Sequence, residues 1–100
     1  MTQVHLLVDL VIADGRQAEF KDMFTREFMA RSRTEPGCQR YELWQDREHT
    51  ANMTILEVWD SKAHLDAHMA QDWFREWGPR MEAMLAEPLR IRFFHTVEAS

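Results

Sequence analysis

Four segments of this chain alternate apolar and polar residues at period two, and helical apolar spacing appears in the stretches that join them. In order they read strand, helix, strand, strand, helix, strand. That order predicts an α+β domain of the ferredoxin-like kind, β-α-β-β-α-β, with a four-stranded antiparallel sheet. One hundred residues make a single domain, 1–100, with material for one core.

Residues 3–13 are the first expected strand, with Val4, Leu6, Val8, Leu10 and Ile12 on one face. Asp14-Gly15 ends it as a turn. Residues 16–33 form an amphipathic helix in which Phe20, Met23, Phe24 and Phe28 make the apolar stripe. Pro36-Gly37 stops that helix. The second strand is expected over 38–46 and the third over 52–60, joined by the polar hairpin loop 47–51.

Ser61 is suited to cap a helix over 62–71, and Asp72 to cap a short segment that opens with Trp73 and Phe74. Gly78-Pro79 is read as an interruption, with a fresh helix over 80–86. Pro88 opens the last strand, 89–97, and the final residues are expected to fray.

Each strand carries large apolar residues on both faces, yet only one sheet face receives helices in this topology. A sheet that is apolar on both sides needs a second cover, and a homodimer with sheets face to face supplies it. The expected dimer face bears Leu7, Trp44 or Phe94.

A net charge of -5 argues against a nucleic-acid partner, because phosphate contacts need a basic face. No apolar run approaches the ~20 residues of a membrane span. The N-terminal stretch carries His5 and Asp9 and lacks the pattern of a secretory leader. Cys38 is the lone cysteine, which suits a reducing cytoplasm.

The chemistry concentrates between residues 53 and 77. Here the third strand leads into helix and then into aromatic residues. His64 and His68 stand four apart on one helix face, but two imidazoles fall short of the three or four ligands of a zinc site, so no metal is expected. His68 lies among Leu65, Met69 and the Trp73-Phe74 pair and should point inward, as a bonded core residue or a proton acceptor. His64 should be partly wet. The hairpin strands repeat Glu-x-Trp, Glu42 with Trp44 and Glu57 with Trp59. Both pairs are expected on one sheet face, with Arg40 as their counter-charge. No Gly-rich phosphate loop, dinucleotide fingerprint or nucleophile elbow is present, which argues against nucleotide and flavin cofactors.

The residues Glu-Pro-Gly-Cys-x-x-Tyr-Glu (35–42), Ile-Leu-Glu-Val-Trp-Asp-Ser-Lys-x-x-Leu-x-x-His (55–68) and Trp73-Phe74 resemble the antibiotic biosynthesis monooxygenase family over nearly the whole chain. The resemblance implies a ferredoxin-like protomer, a dimeric α+β barrel and a cavity between sheet and helices. Members include cofactor-free oxygenases of phenolic polyketides, quinol monooxygenases, haem-degrading enzymes and an isomerase of a phosphorylated sugar. Positions typical of the haem-degrading branch are here Val8, His68 and Gly78, and all three depart from it. The quinol and isomerase branches share a helix histidine matching His68, and a carboxylate matching Glu57 recurs in the family.

The expectation is therefore a cytoplasmic homodimer without cofactor or metal, acting with molecular oxygen on a quinol or other electron-rich aromatic. His68 and Glu57 are the expected catalytic pair. Trp59, Trp73, Phe74 and Met69 are expected to hold the ring, with Phe24, His64 and Arg40 also near substrate. A metal-free isomerase of a small carbonyl compound, phosphorylated or not, and a non-catalytic dimeric stress-response or binding module are the alternatives.

Overall fold

The computed structural model describes residues 2–98. The fraying expected at the C-terminus falls partly on residues 99 and 100, outside the described residues. The strands are β1 (Val4–Val11), β2 (Cys38–Gln45), β3 (Asn52–Trp59) and β4 (Arg90–Phe94), in sheet order β2-β3-β1-β4. Every pairing is antiparallel. The expected ferredoxin-like α+β fold is the one observed.

The first helix, α1, covers residues 17–32 without a break. An α-helical start (Gln17–Met23) passes into a π-helical stretch (Phe24–Met29) and a final α-turn (Ala30–Ser32). The wider turn has a packing consequence. Residues four apart overshoot a 3.6-residue turn by about 40°, so a stripe at that spacing drifts around an α-helix. Here Phe20, Phe24 and Phe28 stay in one stack, with ring centroids 5.7 and 5.2 Å apart, and Tyr41 of β2 joins at 5.7 Å from Phe24. Phe24 is wholly buried within this stack.

The second helix, α2 (Lys62–Met69), is capped by Ser61, whose Oγ accepts the His64 N–H at 3.3 Å. The third, α3 (Asp72–Glu82), runs straight through Gly78-Pro79. The expected interruption is absent for a steric reason. A proline crowds the Cβ of the residue before it, and glycine has none, so the helical backbone persists. The cap of α3 is Gln71, and Asp72 is the first helical residue.

β4 is shorter than expected, and its pairing with β1 runs only from His5 to Asp9. β1 in turn gives up Ile12 and Ala13. These leave the ladder to bond Ala51 O at 2.8 Å and Met84 O at 2.9 Å.

Register decides which residues meet the helices. Tyr41 faces Glu57, Leu43 faces Ile55 and Trp44 faces Thr54. Tyr41, Ile55 and Met53 are thereby buried with Leu6, Val8 and Leu10 beneath the helices. The loop that fixes this register is held by Asp46, whose Oδ1 accepts the Glu48 and His49 N–H groups at 2.8 and 3.0 Å. The two Glu-x-Trp pairs consequently lie on opposite faces: Glu57 and Trp59 inside, Glu42 and Trp44 outside. A shift of one residue would have united them but turned Tyr41 and Leu43 to solvent. The outer face leaves Trp44 and Phe94 nearly half exposed, beside an Asp9–Arg92 ion pair at 2.8 Å.

Gly15 and Gly37 both have positive φ, 79° and 81°. Their surroundings differ. A Cβ on Gly37 would overlap the His64 ring, whereas Gly15 has nothing within 4 Å of that position. Gly15→Ala should therefore cost about 1 kcal/mol, the backbone strain alone. Gly37→Ala should cost about 2 kcal/mol or more. Thermal unfolding should show this as a fall in Tm of roughly 5 °C against 10 °C or more; equal shifts would refute the close packing of His64 on Gly37.

Candidate functional site

His68 is the centre of the site. It sits one turn beyond His64 on the inward face of α2, beside Leu65, and only 2% of it is exposed. Aromatic rings surround it: Trp59 at 4.6 Å between centroids, Phe74 at 4.9 Å, Tyr41 and Trp73 each at 5.7 Å. Its Nδ1 lies 2.6 Å from Glu35 Oε1. Its Nε2 is buried and has no hydrogen-bond partner among the described residues.

Glu35 comes from the turn between α1 and β2. Its N–H donates to Ser32 O at 3.1 Å and its carbonyl accepts the Cys38 N–H at 3.2 Å, so the backbone is held on both sides. Oε2 accepts hydrogen bonds from the Gln71 side-chain amide and, at 3.2 Å, from the Trp73 indole N–H. The Trp73 N–H is shared with Gln71 Oε1 at 3.0 Å. Burial pushes the His68 ring below its ordinary value of 6.5, and the Glu35 carboxylate only partly offsets this. The ring is accordingly neutral near pH 7.

Between sheet and helices, next to His68, is a cavity of about 70 Å³. Phe28, Phe74, Met69, Leu65 and Ile55 line much of it. The polar groups on its wall are those of His68, Glu57 and Tyr41, and no Lys or Arg contributes. Glu57 is buried, with Oε1 accepting the Trp59 indole N–H at 2.9 Å. Burial drives its pKa from 4.5 to about 7, against the lowering effect of that indole bond. Burial also raises the Tyr41 hydroxyl well above its usual value.

The residues expected at the site separate into two groups. His68, Glu57, Phe74 and Met69 line the cavity, and Trp59 packs behind His68 while bonding Glu57. The others lie elsewhere. Phe24 is locked in the core stack, and Phe28 takes the place beside the cavity. Trp73 braces Glu35 and does not line the cavity. The His64 Nδ1 bonds Ser61 Oγ at 2.7 Å, over Gly37. Arg40 is on the outer face, bonded to Glu42 at 2.9 Å, because the register places it opposite Val58. Glu57 therefore has no counter-charge from Arg40.

Glu35, Gln71 and Tyr41 went unread as site residues. Pro36-Gly37 was a legible helix stop, and an acidic residue directly before it was the available signal. Nothing local says that a turn residue meets a side chain 33 positions away. Among the described residues, no three of His, Cys, Asp and Glu gather as metal ligands, and no helix is long and apolar enough to cross a membrane.

The profile of a protein family described as antibiotic biosynthesis monooxygenase matches residues 4–80. The chain belongs to this family. Solved structures similar to this family member include a conserved protein of Methanosarcina mazei, with TM-score 0.89, 23% identity and coverage of 97% and 95% of the two chains. A protein of Pseudomonas aeruginosa gives 0.85, 26%, and 98% and 97%. A proposed antibiotic biosynthesis monooxygenase of Caulobacter crescentus gives 0.87, 25%, and 97% and 92%. An uncharacterised protein of Synechocystis is 31% identical over 74 residues, which cover 74% of this chain. The match spans 50% of that relative's length.

The position of Glu57 has a measurable consequence for stability. Between pH 4.5 and 7 the unfolded chain releases a proton that the folded chain keeps, so stability falls as pH rises through this window. Glu57→Gln abolishes the loss. The variant should exceed wild type by up to roughly 3 kcal/mol at pH 8 and differ little at pH 4. Urea unfolding at the two pH values measures the difference; a variant destabilised equally at both would contradict the desolvation account.

Proposed function

We propose that this family member is a cofactor-independent monooxygenase of a quinol or similar electron-rich hydroxylated aromatic, with His68 as the base. The observation that carries the reading is the unpartnered Nε2 of a neutral, buried His68 at the wall of an aromatic cavity. Such a nitrogen accepts a proton from a ring hydroxyl set against it. Glu35 on Nδ1 then stabilises the imidazolium that forms.

Removing the phenolic proton leaves an electron-rich anion able to reduce oxygen directly. The balance closes without an external reductant. One hydroquinone and one dioxygen give one hydroxyquinone and one water. The ring loses four electrons, two on taking up an oxygen atom and two on becoming the quinone. Glu57, with a pKa of about 7, is placed to supply a proton to reduced oxygen as water leaves. The lack of Lys and Arg at the cavity disfavours a phosphorylated substrate, and with it an isomerase acting on a phosphorylated sugar.

The cavity as it stands is about half the ~150 Å³ known to hold a benzene ring. Substrate entry therefore requires side chains to move. Met69 is 40% exposed at the cavity edge and has a flexible thioether, so it and Phe74 are the expected gate.

The working unit is proposed to be a homodimer joined through the outer sheet face, where Trp44, Phe94, Leu7 and Leu56 would be covered. Sedimentation at micromolar concentration should return twice the 12.0 kDa chain mass. A monomer would leave that apolar face unexplained.

Oxygen uptake with benzo- and naphthohydroquinones, without added metal or flavin, tests the activity. His68→Ala should lower turnover by roughly 100-fold or more, and His64→Ala far less. The base works only when neutral and the acid only when protonated, so kcat/KM should rise with pH on a limb centred below pH 6.5 and fall again as Glu57 ionises near pH 7. Equal losses in the two variants, or uptake no faster than in His68→Ala, would defeat the proposal.

A further inference from the structure

The Glu35–His68 contact admits two arrangements that the heavy atoms alone do not distinguish. In one, Glu35 is a carboxylate and His68 carries its proton on Nδ1, leaving the Nε2 lone pair in the cavity. In the other, the pair has gained one proton from solvent: Glu35 Oε1 is protonated and donates to Nδ1, and Nε2 bears the ring hydrogen. Only the first arrangement provides a base. The second leaves a buried N–H that bonds neither of the other polar groups on the cavity wall, Glu57 and Tyr41, and an unpaired N–H is the rarer kind of unpaired group in folded proteins.

The other oxygen of Glu35 decides between them. Oε2 accepts from two N–H donors, the Gln71 amide and the Trp73 indole. Donors on a carboxyl group favour its ionised form. Both come from the junction between α2 and α3, Gln71 as the residue capping α3 and Trp73 as the second helical residue. Gln71 Oε1 also accepts the Trp73 N–H, which orients the amide so that its NH₂ faces Glu35.

We propose that Gln71 and Trp73 are positioning residues that hold Glu35 as a carboxylate and thereby keep His68 in the Nδ1–H tautomer, with its Nε2 lone pair facing the cavity. This deepens the oxygenase reading by assigning a role to the start of α3. Neither side chain needs to touch substrate. Trp73 thus acts through its indole N–H, while its ring makes T-shaped contacts with Phe28 and His68 and lies under the Arg31 guanidinium.

The tautomer is read by ¹⁵N NMR of histidine-labelled protein at pH 8, with the His68 signals assigned by their loss in His68→Gln. Wild type should show a pyrrole-type Nδ1 and a pyridine-type Nε2. Trp73→Phe and Gln71→Leu each remove one donor and should shift part of the population to the Nε2–H form, with uptake of one proton by Glu35. The double variant should shift most of it. The same substitutions should lower kcat on a hydroquinone by roughly 10-fold singly and 100-fold or more together, with KM changed less than about threefold.

A wild type already in the Nε2–H form would overturn the proposal. So would a folded double variant that keeps Nδ1–H. If the double variant does not fold, as judged by circular dichroism, the single variants decide, and an unchanged tautomer in both refutes it. The NMR readout uses free protein, so it stands or falls separately from the finding of a substrate.

Discussion

The hydrogen bond between Glu35 and His68 ties together the parts of this domain that sequence keeps apart. It joins the turn after α1 to the inner face of α2, and through Gln71 and Trp73 it reaches the first turn of α3. An ionised carboxylate in such a place is costly unless its lone pairs are filled. Here one oxygen faces an imidazole nitrogen and the other accepts two N–H donors, so the carboxylate is satisfied by fixed partners. The consequence is rigidity. Moving α3 relative to α2 would strip donors from Glu35, and rotating His68 would strip the acceptor from Nδ1. The aromatic rings around His68 prevent the second motion by packing on it from several sides.

The sheet contributes a separate constraint. Side chains alternate along a strand, so the register that buries Tyr41 and Ile55 also buries Glu57, which shares their face. Burial of an acid without a cation is unfavourable to its charged form and drives its pKa upward. The Trp59 indole relieves only part of that effect. A base held below its ordinary pKa and an acid raised to about 7 therefore reach the same small cavity from opposite layers, His68 from a helix and Glu57 from a strand. Their pKa values are displaced in opposite directions by the same cause, loss of water. Burial lowers the histidine and raises the carboxylic acid.

Much of this was legible in the residues. Period-two alternation in β1 and β3, the Phe20-Phe24-Phe28 stripe and the Ser61 cap each have a local physical cause, and each element formed where that cause acts. The inward aim of His68 followed from its helix neighbours. What failed was non-local. Whether Glu42 or Tyr41 faces Glu57 depends on a one-residue choice of register, which the burial of Tyr41 settles and the repeated Glu-x-Trp does not reveal. The helical path through Pro79 depends on its predecessor being glycine. The role of Glu35 depends on a turn meeting two helices in space. Trp73 looked like a flat ring for a ligand, and its use turns out to lie in a single N–H.

The unpartnered Nε2 bears most directly on whether His68 is a core residue or a working one. A histidine buried only for packing would gain from a partner on both nitrogens, because a buried polar atom left unpaired costs about 1–3 kcal/mol. Any of several substitutions lining the cavity could have supplied a hydroxyl or amide there. Instead this nitrogen is left without a partner beside a largely apolar cavity, while the opposite nitrogen is served by a carboxylate with its own two donors. The asymmetry gives one nitrogen a fixed role and leaves the other available. A ligand hydroxyl entering the cavity would complete the hydrogen bonding that the folded chain lacks, and the orphaned acceptor is then a source of binding energy directed at one kind of group. The same geometry explains why the site should select hydroxylated rings over plain hydrocarbons of equal size. The hydrocarbon would fill the space and leave Nε2 unpaired, whereas the phenol fills the space and bonds it.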